Sequence, residues 1–280
     1  MNESLKQLLV HVDASPHTPA RLAVARSIAQ SQGAALNALY AVTPSLVAVP
    51  FAPEAGAEIA ATLSEIDDEH RDAARRKFDQ ALAGADLRTA WAEAVDIPVV
   101  TAFAQQALYA DLLVLGQHDP NEGAWSGVSF DFVETVLAMS GKPALVLPYE
   151  DALDKVGDNI VIAWKPTREA ARAVAAAVPL IQRARKVHIL AWPTEEARVG
   201  GASLDLDGYL RQRGIEAVWH REGGGEPEFL GELLLSRAFD LQADLLVMGC
   251  YGHSRAREWV LGGTSRTVLR SMTLPVLMAH

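Results

Sequence analysis

The sequence predicts an α/β fold made of two tandem, doubly wound domains, each built on a five-stranded parallel sheet. Short apolar runs alternate with helical patterns along the chain, which is typical of parallel β-α-β units. The length of 280 residues allows two domains of ordinary size. The order of elements also returns in the second half of the chain, as expected for a duplicated domain.

The first half contains five apolar runs that predict strands, at residues 8–12, 35–42, around Trp91, 111–116 and 144–147. Helical patterns lie between them, through residues 20–29 and at residues 58–82, 97–109 and 130–139. Ser15 or Thr18 is predicted to cap the first helix, and Gly33 to end it. Residues 43–57 are rich in Pro and Ala and are interpreted as a connection.

The second half repeats this order. Strands are predicted at residues 160–164, 187–192, 217–220, 245–248 and 275–278, with helices at 168–181, 204–213, 229–239 and 266–272. The motif ADLLVLG at 110–116 corresponds to ADLLVMG at 243–249. The boundary is placed in the polar stretch 150–158, which gives domains 1–150 and 151–280. The first copy is longer, with its extra residues between 43 and about 69.

The composition of the chain argues against several classes of function. The net charge of -10 argues against a surface for nucleic acid or for an anionic membrane. Cys250 is the only cysteine, which fits a reducing compartment. The polar N-terminus does not resemble a signal peptide, and no apolar run has the length of a membrane span. These features predict a soluble cytoplasmic protein.

A glycine-containing loop joins the last two predicted strands. Gly249 and Gly252 are followed by nine residues and then by Gly262, Gly263, Thr264 and Ser265, where a helix begins. Glycines between a strand and a helix allow close approach of a ligand, and the helix start favours an anion such as phosphate. The spacing is neither that of a P-loop nor that of the dinucleotide fingerprint.

With the flanking strands and the repeat, this loop resembles that of the universal stress protein family, and the resemblance extends over both copies. It implies that the loop holds the phosphates of ATP or AMP, and that an acid at the end of the first strand lies beside the nucleoside. It also implies the strand order 3-2-1-4-5 and pairing through the fifth strands, so the two copies are expected to form an intrachain pseudo-dimer.

The first copy departs from the family pattern in its loop. It keeps the acid, Asp13, and the first glycine, Gly116, but Asp119 stands where the second glycine is expected. Ser129 begins the segment that replaces the glycine-hydroxyl pair. The added negative charge opposes phosphate, so this site is predicted to be degenerate.

The second copy keeps the loop glycines but carries Lys165 where the first has Asp13. An ammonium only donates hydrogen bonds, so Lys165 suits a phosphate or carboxylate better than a ribose hydroxyl. Trp164 and Trp192 flank this mouth and offer stacking surfaces. His253 opens the long second segment of the loop and could reach a phosphate. The second copy is therefore the predicted site for an adenine nucleotide or another small anion.

Two further readings remain open. A scaffold or interaction protein with silent pockets, acting through an unknown protein partner, would explain the same glycines as structural. An enzyme is not expected, because no paired acid and base stands at the predicted mouths, although slow ATP hydrolysis is compatible with the fold. His11 and His188 lie inside apolar strands and are interpreted as core or interface histidines. No metal site is predicted, and further oligomerisation is left open.

Overall fold

The computed structural model describes residues 4–48, 56–121, 127–149, 156–192, 203–223, 227, 229–250 and 263–280. By its contacts the chain divides into two compact units, Ser4–Lys142 and Pro143–His280. The polar stretch 150–158, where the sequence places the boundary, lies mostly outside the described residues. The limits 1–150 and 151–280 therefore stay a prediction.

The first unit contains a parallel sheet with helices between successive strands. Its strands are β1 (Gln7–Val12), β2 (Ala35–Tyr40), β3 (Thr89–Glu93) and β4 (Leu112–Gly116), in the spatial order β3-β2-β1-β4. Its helices are α1 (Thr18–Gln32), α2 (Ser45–Ala48), α3 (Ala57–Leu82), α4 (Val99–Ala107) and α5 (Phe132–Ser140). Helix α2 lies in the segment interpreted as a connection, and the Ser45 amide and hydroxyl donate to Asp67.

The second unit contains the remaining strands. They are β5 (Ala144–Leu147), β6 (Asn159–Trp164), β7 (Lys186–Ala191), β8 (Val218–Arg221), β9 (Leu245–Gly249) and β10 (Val276–Ala279). Its described helices are α6 (Arg168–Ile181), α7 (Leu206–Arg211), α8 (Leu230–Asp240) and α9 (Thr264–Ser271). Strands β6 to β10 follow the order β10-β9-β6-β7-β8 with parallel pairing, which confirms the predicted order 3-2-1-4-5.

Strand β5 belongs to the second compact unit although it closes the first copy of the repeat. It pairs antiparallel with β10, with Leu145 opposite Leu277. All four residues of each strand are buried. The predicted pairing of the two fifth strands within one chain is therefore confirmed, and each strand gains a partner for an otherwise open edge.

The repeated Ala-Asp motif has the same structural role in both copies. Asp111 accepts the backbone amides of Lys6 and Gln7 at 2.7 and 2.9 Å. Asp244 accepts the amides of residues 157, 158 and 159 at 2.9 to 3.0 Å. Each carboxylate thus fixes the start of the copy's first strand against its fourth, because backbone donors need partners.

Apolar burial accounts for the strand and helix patterns. In β4 and β9 every residue before the closing glycine is buried, as expected for strands covered on both faces. Helix α6 buries one face through residues such as Ala173, Val174 and Ala177. None of the helices in the described ranges combines the length and the apolarity that a membrane span requires.

Candidate functional site

Three predicted site residues of the second copy lie at the same edge of its sheet. Lys165 follows β6, Trp192 follows β7, and Gly249 ends β9. Strand β6 lies between β9 and β7, with Ala163 opposite Met248 one residue before the edge. Carboxyl ends of parallel strands form the usual ligand edge of such sheets, so the structure brings these residues to one place.

Helix α9 starts at this edge as well, because a crossover helix runs antiparallel to its strands. Gly263 is at the N-cap position, and no side chain caps the helix. Thr264 and Ser265 form its first turn, in which Ser265 is buried and Thr264 is partly exposed. Three further predicted site residues lie outside the described residues: Gly252, His253 and Gly262.

Gly249 is required by packing. A Cβ atom at this position would lie 2.5 Å from the amide nitrogen of Ala170 and 2.7 Å from the carbonyl carbon of Glu169. Such distances are shorter than carbon atoms tolerate, so only glycine lets the first turn of α6 approach the end of β9. This constraint applies whether or not the loop holds a ligand.

Glu169 lies at this edge beside Gly249, and sequence reasoning did not select it. It lies in the first turn of α6, is 3% exposed, and bonds with Arg168. Burial would raise the pKa of Glu169, but the hydrogen bond from Arg168 and its positive charge keep this pKa below the usual value. Acidic residues are common in the first turn of a helix, so the sequence alone does not single out Glu169. Only its burial in the structure does.

The equivalent edge of the first copy is organised by a buried ion pair. The guanidinium of Arg21 lies 3.3 Å from the Asp13 carboxylate and also donates to Nδ1 and the carbonyl oxygen of His11. The Thr18 hydroxyl donates to Asp13 at 2.5 Å. This corrects the predicted cap, because α1 has His17 at its N-cap position and no side-chain cap.

These contacts keep Asp13 ionised and His11 neutral. Burial would raise the pKa of Asp13, but the charge of Arg21 and the hydrogen bonds from Ser15 and Thr18 hold it well below its usual range. Burial lowers the pKa of His11 from 6.5 to about 4. His11 Nδ1 accepts from Arg21 and its Nε2 lies 3.1 Å from the Ala41 carbonyl, which fits a neutral ring donating through Nε2. His11 is thus a core histidine, as interpreted.

Arg21 also fills the space beside Gly116. A Cβ atom on Gly116 would lie 2.7 Å from Nη2 of Arg21, so the guanidinium packs directly on this glycine. Sequence reasoning did not select Arg21, although it shares the buried face of α1 with Thr18, Leu22 and Ala25. An arginine on an apolar helix face was the available signal, because buried arginines need an anionic partner.

The other two residues of the predicted degenerate site, Asp119 and Ser129, make contacts of their own. Asp119 accepts from the amide of Asn121 at 2.8 Å and faces Nε2 of His17 at 3.1 Å. Burial would raise the pKa of Asp119, and these two donors lower it below the usual value. Ser129 is exposed, and its carbonyl accepts the amide of Phe132 at the start of α5.

Register identifies the matching residues of the two copies. Leu8 pairs with Leu112 as Ile160 pairs with Leu245, so Asp13 corresponds to Lys165 and Gly116 to Gly249. Arg21 lies eight residues after Asp13, and the residue eight positions after Lys165 is Ala173, which is fully buried. Ala173 is therefore the counterpart of Arg21. The acid and its buried base are therefore both replaced in the second copy.

No group of three or more His, Cys, Asp or Glu side chains in the described ranges could hold a metal ion. Cys250 is buried, and its amide donates to the Ala279 carbonyl at 2.9 Å.

Residues 158–280 match the sequence model of the universal stress protein family. The similarity to this family is thus shown for the second part of the chain. A universal stress protein of Synechocystis sp. PCC 6803 is 53% identical over 38 residues, which span 14% of this chain and 13% of that protein. This short match compares one segment only.

Solved structures share the fold over nearly the whole chain. A universal stress protein from Archaeoglobus fulgidus DSM 4304 superposes with a TM-score of 0.68 at 17% identity, covering 98% of this chain and 95% of its own. A protein of unknown function from Pseudomonas aeruginosa PAO1 reaches 0.54 at 14% identity, covering 98% and 92%. At these identities the likeness shows the fold, and the similarity of residues 158–280 to the universal stress protein family rests on the family match.

Proposed function

We propose that the chain is a cytoplasmic stress-response regulator that binds an adenine nucleotide or another small anion in its second copy. The observation that best supports this proposal is that an acid and its buried arginine in the first copy are both replaced at the equivalent positions of the second copy. In the first copy a buried arginine neutralises Asp13 and occupies the space beside Gly116. In the second copy a lysine, Lys165, stands at the strand end and Ala173 replaces the arginine.

The residues at the second strand-end edge fit a phosphate group. Helix α9 presents the backbone amides of its first turn without a side-chain cap, and such amides attract anions together with the helix dipole. Lys165 adds a positive charge after β6, where the first copy has a carboxylate. Trp192, which is partly buried after β7, offers a ring for stacking on a base.

We infer a binding role for this edge. The acid that the family resemblance places beside the nucleoside is replaced by Lys165, so an adenine nucleotide would meet a donor where the family has an acceptor. Lys165 and the start of α9 both suit phosphate, so ATP or AMP is still the ligand to be tested first, and ADP is a suitable stable probe of the shared phosphate chemistry. The scaffold reading predicts that no such ligand is held at all.

Mass spectrometry of small molecules released from the purified protein, followed by calorimetric titration with ADP, tests this proposal. We expect ADP to bind to the wild-type chain and to lose most of its affinity in Lys165→Ala, which removes the positive charge. Lys186→Ala is the matched control, because Lys186 is an exposed lysine at the opposite end of the neighbouring strand. No released nucleotide together with no heat on titration would favour the scaffold reading.

A further inference from the structure

Trp219 occupies the same sheet position in the second copy as Trp91 in the first. Trp219 is opposite Ile189 on the neighbouring strand, and Trp91 is opposite Ala38. The two pairs are equivalent because Leu36 and Val187 hold equivalent positions opposite the first strand of their own copy. Two residues further along the second strand lie Ala38 and Ile189, the partners of the two tryptophans. The surroundings of the two tryptophans can therefore be compared directly.

In the first copy, the chain's own aromatic rings cover Trp91. Tyr40 stacks on it with ring centroids 6.2 Å apart, and Phe78 packs against it at 5.4 Å. Phe78 is buried and comes from α3, a helix of 26 residues. Aromatic groups thus fill this face of the sheet.

In the second copy, the position of Tyr40 is taken by Ala191, which has no ring. The described helix between the second and third strands, α7, has 6 residues and contributes Tyr209 to this face. A cavity of about 1040 Å³ lies beside Trp219 and is lined on its sheet and helix sides by Trp164, Val174, Ala191, Trp192 and Tyr209. Its size is at the upper end of that of small-molecule sites.

The residue two positions after the tryptophan has the opposite charge in the two copies, although a cation lies over each ring: Arg75 over Trp91 and Arg221 over Trp219. In the first copy Glu93 accepts from Nε1 of Trp91 at 2.9 Å and lies 3.9 Å from Arg71 of α3. At the position of Glu93 the second copy has Arg221, whose guanidinium lies 4.7 Å from the centre of the Trp219 ring. The group that complements Arg221 is an anion, whereas the group that complements Glu93 is a cation.

The acidic side chains of the cavity already have partners. Asp205 accepts the Gly208 amide at 2.7 Å and caps α7. Asp207 bonds with Arg211 and lies 3.5 Å from Nε1 of Trp219. Two cations line the same cavity, Arg221 and Arg213, whose guanidinium lies 3.7 Å from the centre of the Tyr209 ring. Together they favour a negatively charged ligand.

We propose that this cavity binds a small planar aromatic carboxylate, with its ring against Trp219 and its carboxylate facing Arg221. The ligand takes the place that Tyr40 and Phe78 occupy in the first copy, and the exchange of Glu93 for Arg221 selects an anion. This site adjoins the strand-end edge through Trp192 but does not depend on nucleotide binding there.

Calorimetric titration with 2-naphthoate tests the proposal, with 2-naphthylmethylamine as the cationic ligand of the same ring size. We expect wild-type protein to bind 2-naphthoate and to prefer it to the amine. Arg221→Glu recreates the charge of the first copy and should weaken 2-naphthoate by about tenfold or more. Arg183→Glu, which changes another exposed arginine of this unit, is the control and should leave binding unchanged.

A second variant tests the shape of the cavity. Ala191→Tyr restores the residue of the first copy, and its ring is expected to fill the space beside Trp219 and to abolish 2-naphthoate binding. Thermal unfolding shows whether the Ala191→Tyr variant is folded. If this variant does not fold, Arg221→Glu still gives an independent result, because Arg221 is exposed. Absence of 2-naphthoate binding by the wild type, or equal binding by Arg221→Glu, would overturn the proposal, whereas ADP titration reports separately on the strand-end site.

Discussion

The guanidinium of Arg21 lies 3.3 Å from the carboxylate of Asp13, and both side chains are buried. This pair makes Asp13 part of the protein core, because its carboxylate is neutralised from inside the unit.

Arg21→Ala is expected to destabilise the protein by about 3–5 kcal/mol, because it leaves the Asp13 carboxylate buried without its cation. Arg185→Ala is the control, since Arg185 pairs with Asp158 at 3.3 Å but its side chain is 78% exposed; it should cost less than about 1 kcal/mol. Urea denaturation of the three proteins measures both values. Equal losses in the two variants would contradict the structural role of Arg21.

The buried His11 predicts a pH dependence of stability. Burial is the main cause that lowers the pKa of His11 to about 4, with the Arg21 charge acting in the same direction and Asp13 opposing it. The unfolded chain therefore binds this proton first as the pH falls, and folded-state stability is lost between about pH 6.5 and pH 4. The loss is on the order of 3 kcal/mol, since each pKa unit is worth about 1.4 kcal/mol.

Two measurements check this pH dependence. The His11 ring resonances should titrate with a midpoint near pH 4, and the unfolding free energy of His11→Gln should fall less steeply between pH 7 and pH 4.5 than that of the wild type. The lowered pKa of Asp13 adds a further loss at lower pH, as its carboxylate becomes protonated. A His11 midpoint at its ordinary value of 6.5 would show that the ring is not held as described.

Gly249→Ala is expected to cost about 1–3 kcal/mol, because the added methyl group must displace the first turn of α6. Gly223→Ala is the matched control, since a Cβ atom there meets no heavy atom within 4 Å; its effect should stay within about 0.5 kcal/mol. Thermal or urea unfolding compares the two. If Gly249→Ala were as stable as the wild type, the close approach of α6 would be wrong.

Asp244→Ala should destabilise the second unit by about 2 kcal/mol, because three backbone amides lose a charged acceptor. Asp240→Ala is a suitable control, since Asp240 is more than half exposed and lies 3.9 Å from Arg237. Hydrogen exchange at residues 157–159 locates the effect: the amides should exchange faster in Asp244→Ala only. Unchanged exchange would mean that Asp244 does not hold the start of β6.

Much of this fold could be predicted from sequence because the repeat is strongly patterned. The apolar runs before Gly116 and Gly249 are continuous, and buried parallel strands require this pattern. The strand-end positions of Asp13 and Lys165 followed from the same runs. The pairing of β5 with β10 followed from the family resemblance, since nothing in either strand alone specifies its partner, whereas its antiparallel direction was not predicted.

The remainder depends on contacts that a pattern does not contain. The pairing of Arg21 with Asp13 joins residues eight positions apart across a turn, and the burial of Glu169 depends on its distance from Gly249. The greater length of the first copy was visible between residues 43 and about 69. The cavity beside Trp219, on the same face of the second copy, became apparent only from the register of β7 and β8.

The stoichiometry of ADP binding to the wild-type chain tests the central claim, that only the second copy offers an anion site. Equilibrium dialysis against labelled ADP at saturating concentration measures it directly. We expect one ADP per chain, with no loss when Asp13 is changed to Asn. Two ADP per chain, or one whose binding depends on Asp13 and not on Lys165, would contradict the account.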